Sequence, residues 1–371
     1  MVLIVVSVAS LVGITYMTAS TLKAASTVNL VQATRAKYLA ESALEHGMSL
    51  LHTDAARMVG SSPDAPLGPF YLDDSDDSYV IWARNTGDVG VWMVTGQGCV
   101  GESVQAVSAR VFIGPGPDVA GGQTAFGSGM PVTIPESVKI FGNVTILGTL
   151  VNNGTVTGDI VHAGGEIVTG RHDGGVRATP AQEIMIPRIG CADYVDYCVA
   201  GVRYAAVRVN GTLGSSNTLT KGQASTPSNP AGVVVIDPDR SGESRIGANV
   251  EFVGTIVAHG NLVIDGSHIT LTAAKGFPAI VCEGAVYVSN STKLTVNGLV
   301  VAAEGIRPYT NNTSASSTII HGPLITKNRL YDDKLLGSHE LRHHADAGRL
   351  YDVKAGVAAS GPIRILDWYD H

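Results

Sequence analysis

The first charged side chain in the sequence is Lys23, and the first proline is Pro63. Residues 1–22 read MVLIVVSVASLVGITYMTASTL, an uncharged run long enough to cross a bilayer as a helix. A cleaved secretory signal would need a basic region ahead of the apolar run and a cleavage site soon after it. No basic residue precedes this run, and helical patterning continues beyond it. Gly60-Ser61-Ser62-Pro63 is a helix-stop sequence. One helix is therefore expected over residues 1–59, roughly 90 Å at 1.5 Å per residue, weakened slightly at Gly13 and Gly47.

The two halves of that helix differ in character. Over residues 24–51, Val28, Val31, Tyr38, Leu39, Ala43, Leu50 and Leu51 alternate at helical spacing with Gln32, Arg35, Lys37, Glu41 and Glu45. In the first half, Ser7, Ser10, Thr18 and Thr21 fall near one stripe, and small residues on one face let apolar helices approach closely. The pattern describes a rod that begins in lipid, or among its own kind, and ends packed on a domain.

Residues 1–113 resemble the type IV pilin and pseudopilin superfamily. The likeness rests on the uncharged start, the unbroken passage into an amphipathic half, and Arg35-Ala36-Lys37-Tyr38-Leu39-Ala40-Glu41-Ser42-Ala43-Leu44-Glu45, similar to the A-E-(S/A)-(A/G)-L segment of larger minor-pilin-like proteins. Strand-like stretches at residues 79–84, 89–95 and 104–113 resemble the small sheet that packs on the pilin helix. The resemblance implies that a leader is removed just before Met1. It also implies that subunits leave the inner membrane and form a helical filament cored by Met1, Val2, Leu3, Ile4, Val5, Val6, Val8, Leu11, Val12 and Ile14. Family members usually carry glutamate at the fifth mature position, where it neutralises a neighbour's N-terminal amine, and here that position is Val5. Some tip-located pseudopilins also lack it, so major, minor and tip roles all stay open.

From residue 121 to 327 the text changes. Glycine is abundant (44 residues) and charged residues make up only 15%, the composition of many short strands and tight turns rather than of a helical bundle. Ile160-Val161-His162-Ala163-Gly164, Ile256-Val257-Ala258-His259-Gly260 and Ile280-Val281-Cys282-Glu283-Gly284 share a phrase; the last two lie 24 residues apart and the first two 96. Val300-Val301-Ala302-Ala303-Glu304-Gly305 and Pro323-Leu324-Ile325-Thr326 continue the series. A period of this size built from β-runs points to a β-helix (β-solenoid), in which each coil buries its inward Val and Ile only by stacking on the next. Sandwich and barrel alternatives also use short strands. Residues 180–228 fit the period poorly and read as an insertion. The middle resembles the β-helix domains attached to some large pilin-like proteins.

Several short motifs could carry chemistry. His339-Glu340-Leu341-Arg342-His343 matches H-E-x-x-H, a zinc pattern that needs a helix beneath it and a third ligand. No glutamate follows Glu340, and a polar surface turn is the reading adopted. Asp237-Pro238-Asp239-Arg240-Ser241-Gly242 resembles half of a calcium loop, but Ala248 stands where the bidentate acid belongs. The acidic run Asp73, Asp74, Asp76 and Asp77 reads as a solvated loop. For a sugar-cleaving enzyme the candidate acids are Asp159, Asp237, Asp239, Asp265 and Glu283, and no pair among them is set by the sequence. Four cysteines allow three pairings; Cys191 with Cys198 is expected as a local clip, leaving Cys99 with Cys282. Sequons at Asn143, Asn153, Asn210, Asn290, Asn311 and Asn312 are sites for glycans. Gly114-Pro115-Gly116-Pro117 and Gly121-Gly122 read as a linker.

The expected protein is α+β: a long N-terminal helix (1–59), a small antiparallel β-meander packed on it (60–117), a β-helix (118–330) and a C-terminal capping segment (331–371), whose last strand, 362–369, either pairs with the small sheet or covers the end of the β-helix. No catalytic residue, cofactor or resident metal is expected. With a net charge of −7 and no basic run, a nucleic-acid partner is not expected either. The function expected is structural: a subunit of an extracellular type IV pilus-like filament, inserted in the membrane before assembly, with itself or other pilins as partners. A minor or tip subunit binding carbohydrate or another surface is the second reading, and a hydrolase on a membrane stalk the third.

Overall fold

A computed structural model describes the chain apart from residues 1, 55–56, 59, 73–74, 115–123, 164–167, 180, 182–188, 200–201, 218, 220–223, 310–313, 328–329, 331–335, 345, 352, 354–362 and 371. The chain is one long N-terminal helix followed by many strands, most of them in parallel sheets. It divides into two compact units. One comprises Met1–Thr86, Val91–Phe112 and Ile363–His371; the other comprises Gly87–Gly90 and Ile113–Pro362.

In the first unit the N-terminal helix runs over Val2–Thr53. The element ends at Thr53, although the Asp54 N–H still donates to the Leu50 carbonyl at 2.7 Å and Arg57 and Met58 are again helical. Strands β1 (Leu67–Tyr71), β2 (Ser78–Asn85), β3 (Val91–Val100) and β4 (Ser103–Ile113) pair antiparallel in sequence order. The three expected strands are present, and the sheet is wider than expected. The C-terminal strand Ile363–Asp370 adds beside β4, which is the first of the two placements open to it. Its Asp367 reaches Arg110 at 3.4 Å.

The helix lies on β3 through its smallest residues. Ala36, Ala40, Ala43 and Leu44 are fully buried. Opposite them β3 carries Gly96 and Gly98. A Cβ at Gly98 would stand 2.3 Å from the Ala36 carbonyl oxygen, and one at Gly96 2.4 Å from that of Ala40. Backbone meets backbone at both points, and only glycine leaves room. This packing accounts for the Ala40-Glu41-Ser42-Ala43-Leu44 segment: its alanines and leucine face the sheet, while Glu41 and Ser42 do not.

In the second unit the strands pair in parallel within three sheets. Ile256, Ile280, Val300 and Leu324 stand in register on successive strands of a ten-stranded sheet. Val144, Ile160 and Val176 do the same in another part of that sheet, 16 residues apart. The phrase at Ile160 therefore does not lie four 24-residue steps from Ile256; it belongs to a shorter repeat. At the corners of that repeat Gly158 stacks on Gly142, where a Cβ would sit 2.3 Å from the neighbouring backbone. Asn143 Oδ1 accepts from the Asp159 N–H, and Asp159 Oδ1 from the Gly175 N–H. Asp159 is thus a ladder residue.

The strand order departs from chain order. Leu324–Thr326 pairs Thr124–Ser128, and Gly337–Arg342 pairs Val138–Phe141. The chain thus enters the ten-stranded sheet near its middle and runs to one end at Val176–Ala178. It then crosses to the other end at Val207–Asn210 and returns to where it began. The insertion expected over 180–228 is this crossover, and it ends earlier than expected, because Val207 already pairs with Val234. Inward residues such as Phe126, Ile236, Ile256, Ile280 and Leu324 form one core. Val235, Val257 and Val281 alternate with that core set, yet they too are buried. A parallel sheet covered on both faces reads as unbroken apolar runs, as Val233–Asp237 does.

Part of the outer cover comes from the crossover. Its short helix Ala192–Val195 and the hairpin Asp196–Val199/Val202–Ala205 carry Tyr194 and Tyr197, which meet Phe277 edge-on. The Tyr197 hydroxyl donates to Asn229 Oδ1 at 2.9 Å. Tyr351 closes the group beside Phe277, its hydroxyl donating to the Ile113 carbonyl at 2.8 Å.

Candidate functional site

Two places in the molecule stand apart chemically: the first half of the helix, and a three-residue cluster on the outer face of the ten-stranded sheet.

Every described large apolar side chain in the first half of the helix is exposed. Of the expected filament-core residues, Ile4, Val6, Val8, Leu11, Val12 and Ile14 are bare, Leu11 at 70% exposure. Tyr16, Met17, Leu22, Val28, Leu30 and Val31 continue the bare surface. Met1 and the side chains of Val2, Leu3 and Val5 lie outside the described residues. Cover begins at Ala36, one residue after Arg35 pairs with Asp77 at 2.5 Å. The acidic run is therefore in part a helix partner, and Asp73 and Asp74 lie outside the described residues. Among the described residues no helix is long and apolar enough to cross a membrane.

The threonine hydroxyls on the bare half are satisfied within the helix. Thr15 donates to the Leu11 carbonyl, Thr18 to Ile14, Thr21 to Met17, Thr27 to Lys23 and Thr34 to Leu30, all within 2.9 Å. A hydroxyl bonded back to its own helix enters an apolar environment without losing a partner. The small polar stripe is thus compatible with lipid or with a neighbouring helix.

The second place was not anticipated from sequence. Cys191, at the start of the crossover, His259 and Glu283 bring one ligating atom each within 4.8 Å of one another. Ala258 and Cys282 are paired on adjacent strands, so His259 and Glu283 leave those strands side by side. His259 Nδ1 lies 3.5 Å from Glu283 Oε2. The Cys191 thiol is buried and lies within donating distance of the Ala258 carbonyl (3.2 Å) and the Val281 carbonyl (3.3 Å). Burial, then the nearby Glu283 carboxylate, push this thiol up to about 12. The Cys282 thiol points to the Gly260 carbonyl and is pushed up to about 12 by burial.

None of the four cysteines forms a disulfide, which overturns both expected bridges. Cys191 is turned toward the sheet, and Cys198 sits on the hairpin opposite Arg203. Cys99 belongs to β3 of the helix-bearing unit and Cys282 to a strand of the other.

The zinc-like motif also resolves differently from its pattern. His339 to Arg342 form a strand, with His339 and Leu341 buried and Glu340 turned to Arg342 at 2.6 Å. Along a strand, His339 and His343 are about 13 Å apart instead of one helical turn, so they share no ion. Asp237 pairs with Arg208 at 2.8 Å. Asp239 accepts from the Ser241 hydroxyl and from the Ser241 and Glu243 N–H groups; the hydroxyl bond is the main reason its carboxyl is held below the usual range. Asp237 thus joins neighbouring strands and Asp239 closes a turn, and neither opens a calcium site. Asp265 lies 4.0 Å from Arg245. Among the sequons, Asn153, Asn210 and Asn290 are exposed, Asn143 serves the ladder, and Asn311 and Asn312 lie outside the described residues. So do 115–117 and 121–122 of the expected linker.

No protein-family model matches the chain, and no curated protein matches it. Among solved structures, the crystal structure of the competence-associated pilin ComZ from Thermus thermophilus is similar with a TM-score of 0.31 and 11% identity, over 92% of this chain and 98% of that one. A TM-score of that size does not establish a common fold.

Proposed function

We propose that this chain is a pilin-like subunit of a surface filament. It is held in the membrane by its first half-helix before assembly, and packed through that same surface against the corresponding helices of its neighbours afterwards. In this reading the parallel-stranded body is a β-helix carried on the outside. The observation that supports it is the contrast along one helix: full burial at Ala36, Ala40, Ala43 and Leu44, and exposure of 61–70% at Ile4, Leu11, Val12 and Ile14. An apolar rod with internally bonded hydroxyls calls for an apolar surround. Each of its large side chains gains about 1.5–3 kcal/mol on leaving water. Leaving lipid for a bundle of like helices gains only packing, which argues for a machine that extracts the subunit.

The test is electron microscopy of filaments sheared from producing cells, with mass spectrometry of their content and attached sugars. Filaments in which this chain dominates, with its first two dozen residues at the core, support the reading. Filaments lacking the chain, or joined only through the body, overturn it. Val5, where the family's glutamate would neutralise a neighbour's amine, favours a second reading as a minor or tip subunit. That reading is supported if the chain appears at a few copies per filament of another protein.

A further inference from the structure

We propose that Cys191, His259 and Glu283 bind one zinc(II) ion, which fastens the crossover segment to the outer face of the ten-stranded sheet. The three ligating atoms come from three separate stretches of chain and already lie within 4.8 Å of one another. A tetrahedral zinc with bonds of roughly 2.0–2.3 Å holds its ligand atoms about 3.3–3.8 Å apart. The His259–Glu283 separation of 3.5 Å falls in that range, so closure needs only small side-chain adjustments. One sulfur, one imidazole nitrogen and one carboxylate oxygen suit a borderline-soft cation, whereas calcium and magnesium take oxygen sets.

The backbone sets this geometry in place. His259 and Glu283 follow paired residues on neighbouring strands, so the ladder fixes their spacing. The Cys191 sulfur lies 3.2 Å from the Ala258 oxygen and 3.3 Å from the Val281 oxygen, beside the points where His259 and Glu283 leave the sheet. Binding forms a zinc–sulfur bond and breaks the S–H bond, with the proton passing to water. His259 and Glu283 are 35% and 51% exposed, which leaves the fourth position of the ion open to solvent for a water molecule.

The test uses the full chain in mild detergent, stripped of metal and titrated with zinc against a chromophoric chelator. Cobalt(II) is titrated in parallel as a spectroscopic stand-in. The expected result is one zinc per chain with a Kd of about 1 μM or lower, and a near-ultraviolet thiolate-to-cobalt band. Cys191→Ser removes that band. Because Cys191 is buried and its replacement can disturb packing, His259→Gln and Glu283→Gln carry the test independently. Each removes a ligand and is expected to weaken zinc binding by at least the roughly 10–100-fold that loss of an outer-shell partner costs, and to shrink the rise in melting temperature that zinc gives the unaltered chain. Absence of stoichiometric binding, a cobalt spectrum without the thiolate band, or variants that bind as the unaltered chain does would each overturn the proposal.

Discussion

The bare half of the N-terminal helix and the ten-stranded sheet of the body treat apolar surface in opposite ways. In the sheet even the outward set is covered: Val257 is fully buried, although its neighbour Ile256 already faces the core. On the helix, Leu11 and Tyr16 are 70% and 76% exposed, and the described large apolar side chains between Ile4 and Val31 are all more than half exposed. A chain that sends a long crossover over the second face of a sheet does not leave a rod of valine and leucine bare by default. In the proposed reading, the difference marks where apolar surface is covered within the chain and where neighbouring subunits would cover it.

The largest effect is expected where cover is double. Val257→Asp places an unpaired carboxylate between Val235 and Val281, beneath the crossover. It should lower stability by about 4 kcal/mol or more, read by chemical denaturation. If the loss were under about 1 kcal/mol, the outer face would be solvated and the contrast with the helix would dissolve.

A smaller loss is expected at the docked half of the helix. Gly98→Ala directs a methyl group at the Ala36 carbonyl oxygen from 2.3 Å, a contact relieved only by moving backbone. About 2 kcal/mol is expected, again from denaturation. The same substitution at Gly13, which has nothing near its missing Cβ, should raise helix stability slightly. That pair of substitutions marks the boundary between covered and bare helix.

Alkaline pH should separate the two regions as well. Burial raises the Cys191 and Cys282 thiols from 9.0 to about 12. A thiol that stays protonated when folded and ionises when unfolded contributes stability that is fully present below pH 9.0. That contribution is lost as pH rises from there towards about 12. The denaturation midpoint is expected to fall across this window, and Cys282→Ala to flatten the fall. Residues 4–22 contain no thiol, carboxylate or amine side chain, so that part of the bare rod adds none of these charges to the slope.

Much of this contrast is legible in the sequence, and its failures have local causes. The absence of charge before Lys23 and of proline before Pro63 indicates the rod, and Ala36, Ala40, Ala43 and Leu44 mark where packing starts. The phrase shared by Ile256 and Ile280 puts His259 and Glu283 at equivalent positions, which is two of the three residues of the proposed zinc site. The third is not readable: Cys191 lies in a segment with no period, and only the crossover's path brings it to the sheet. That path depends on Leu324–Thr326 pairing with Thr124–Ser128, a contact between distant parts of the chain that no local spacing encodes. The 16-residue repeat was visible in Gly142-Asn143-Val144, Gly158-Asp159-Ile160 and Gly174-Gly175-Val176. The chance multiple of 24 between Ile160 and Ile256 obscured it. The expected disulfides fail for a related reason, since nearness in sequence says nothing about which way a buried thiol is turned.

The smallest effect on the isolated subunit is expected on the bare rod, and it is the most informative one. Leu11→Glu adds a charge to a side chain that touches nothing in its own chain. In detergent, the unfolding of both compact units should therefore shift by no more than about 0.5 kcal/mol. In a filament the same charge enters an apolar core without a partner, and polymer yield should collapse. Thr18→Val serves as the control: it removes a hydroxyl already bonded to the Ile14 carbonyl and should leave both stability and yield near their starting values. Polymers that formed from Leu11→Glu as readily as from the unaltered chain would mean that the rod stays bare in the assembly. The contrast between covered sheet and uncovered helix would then need a cause other than partnership.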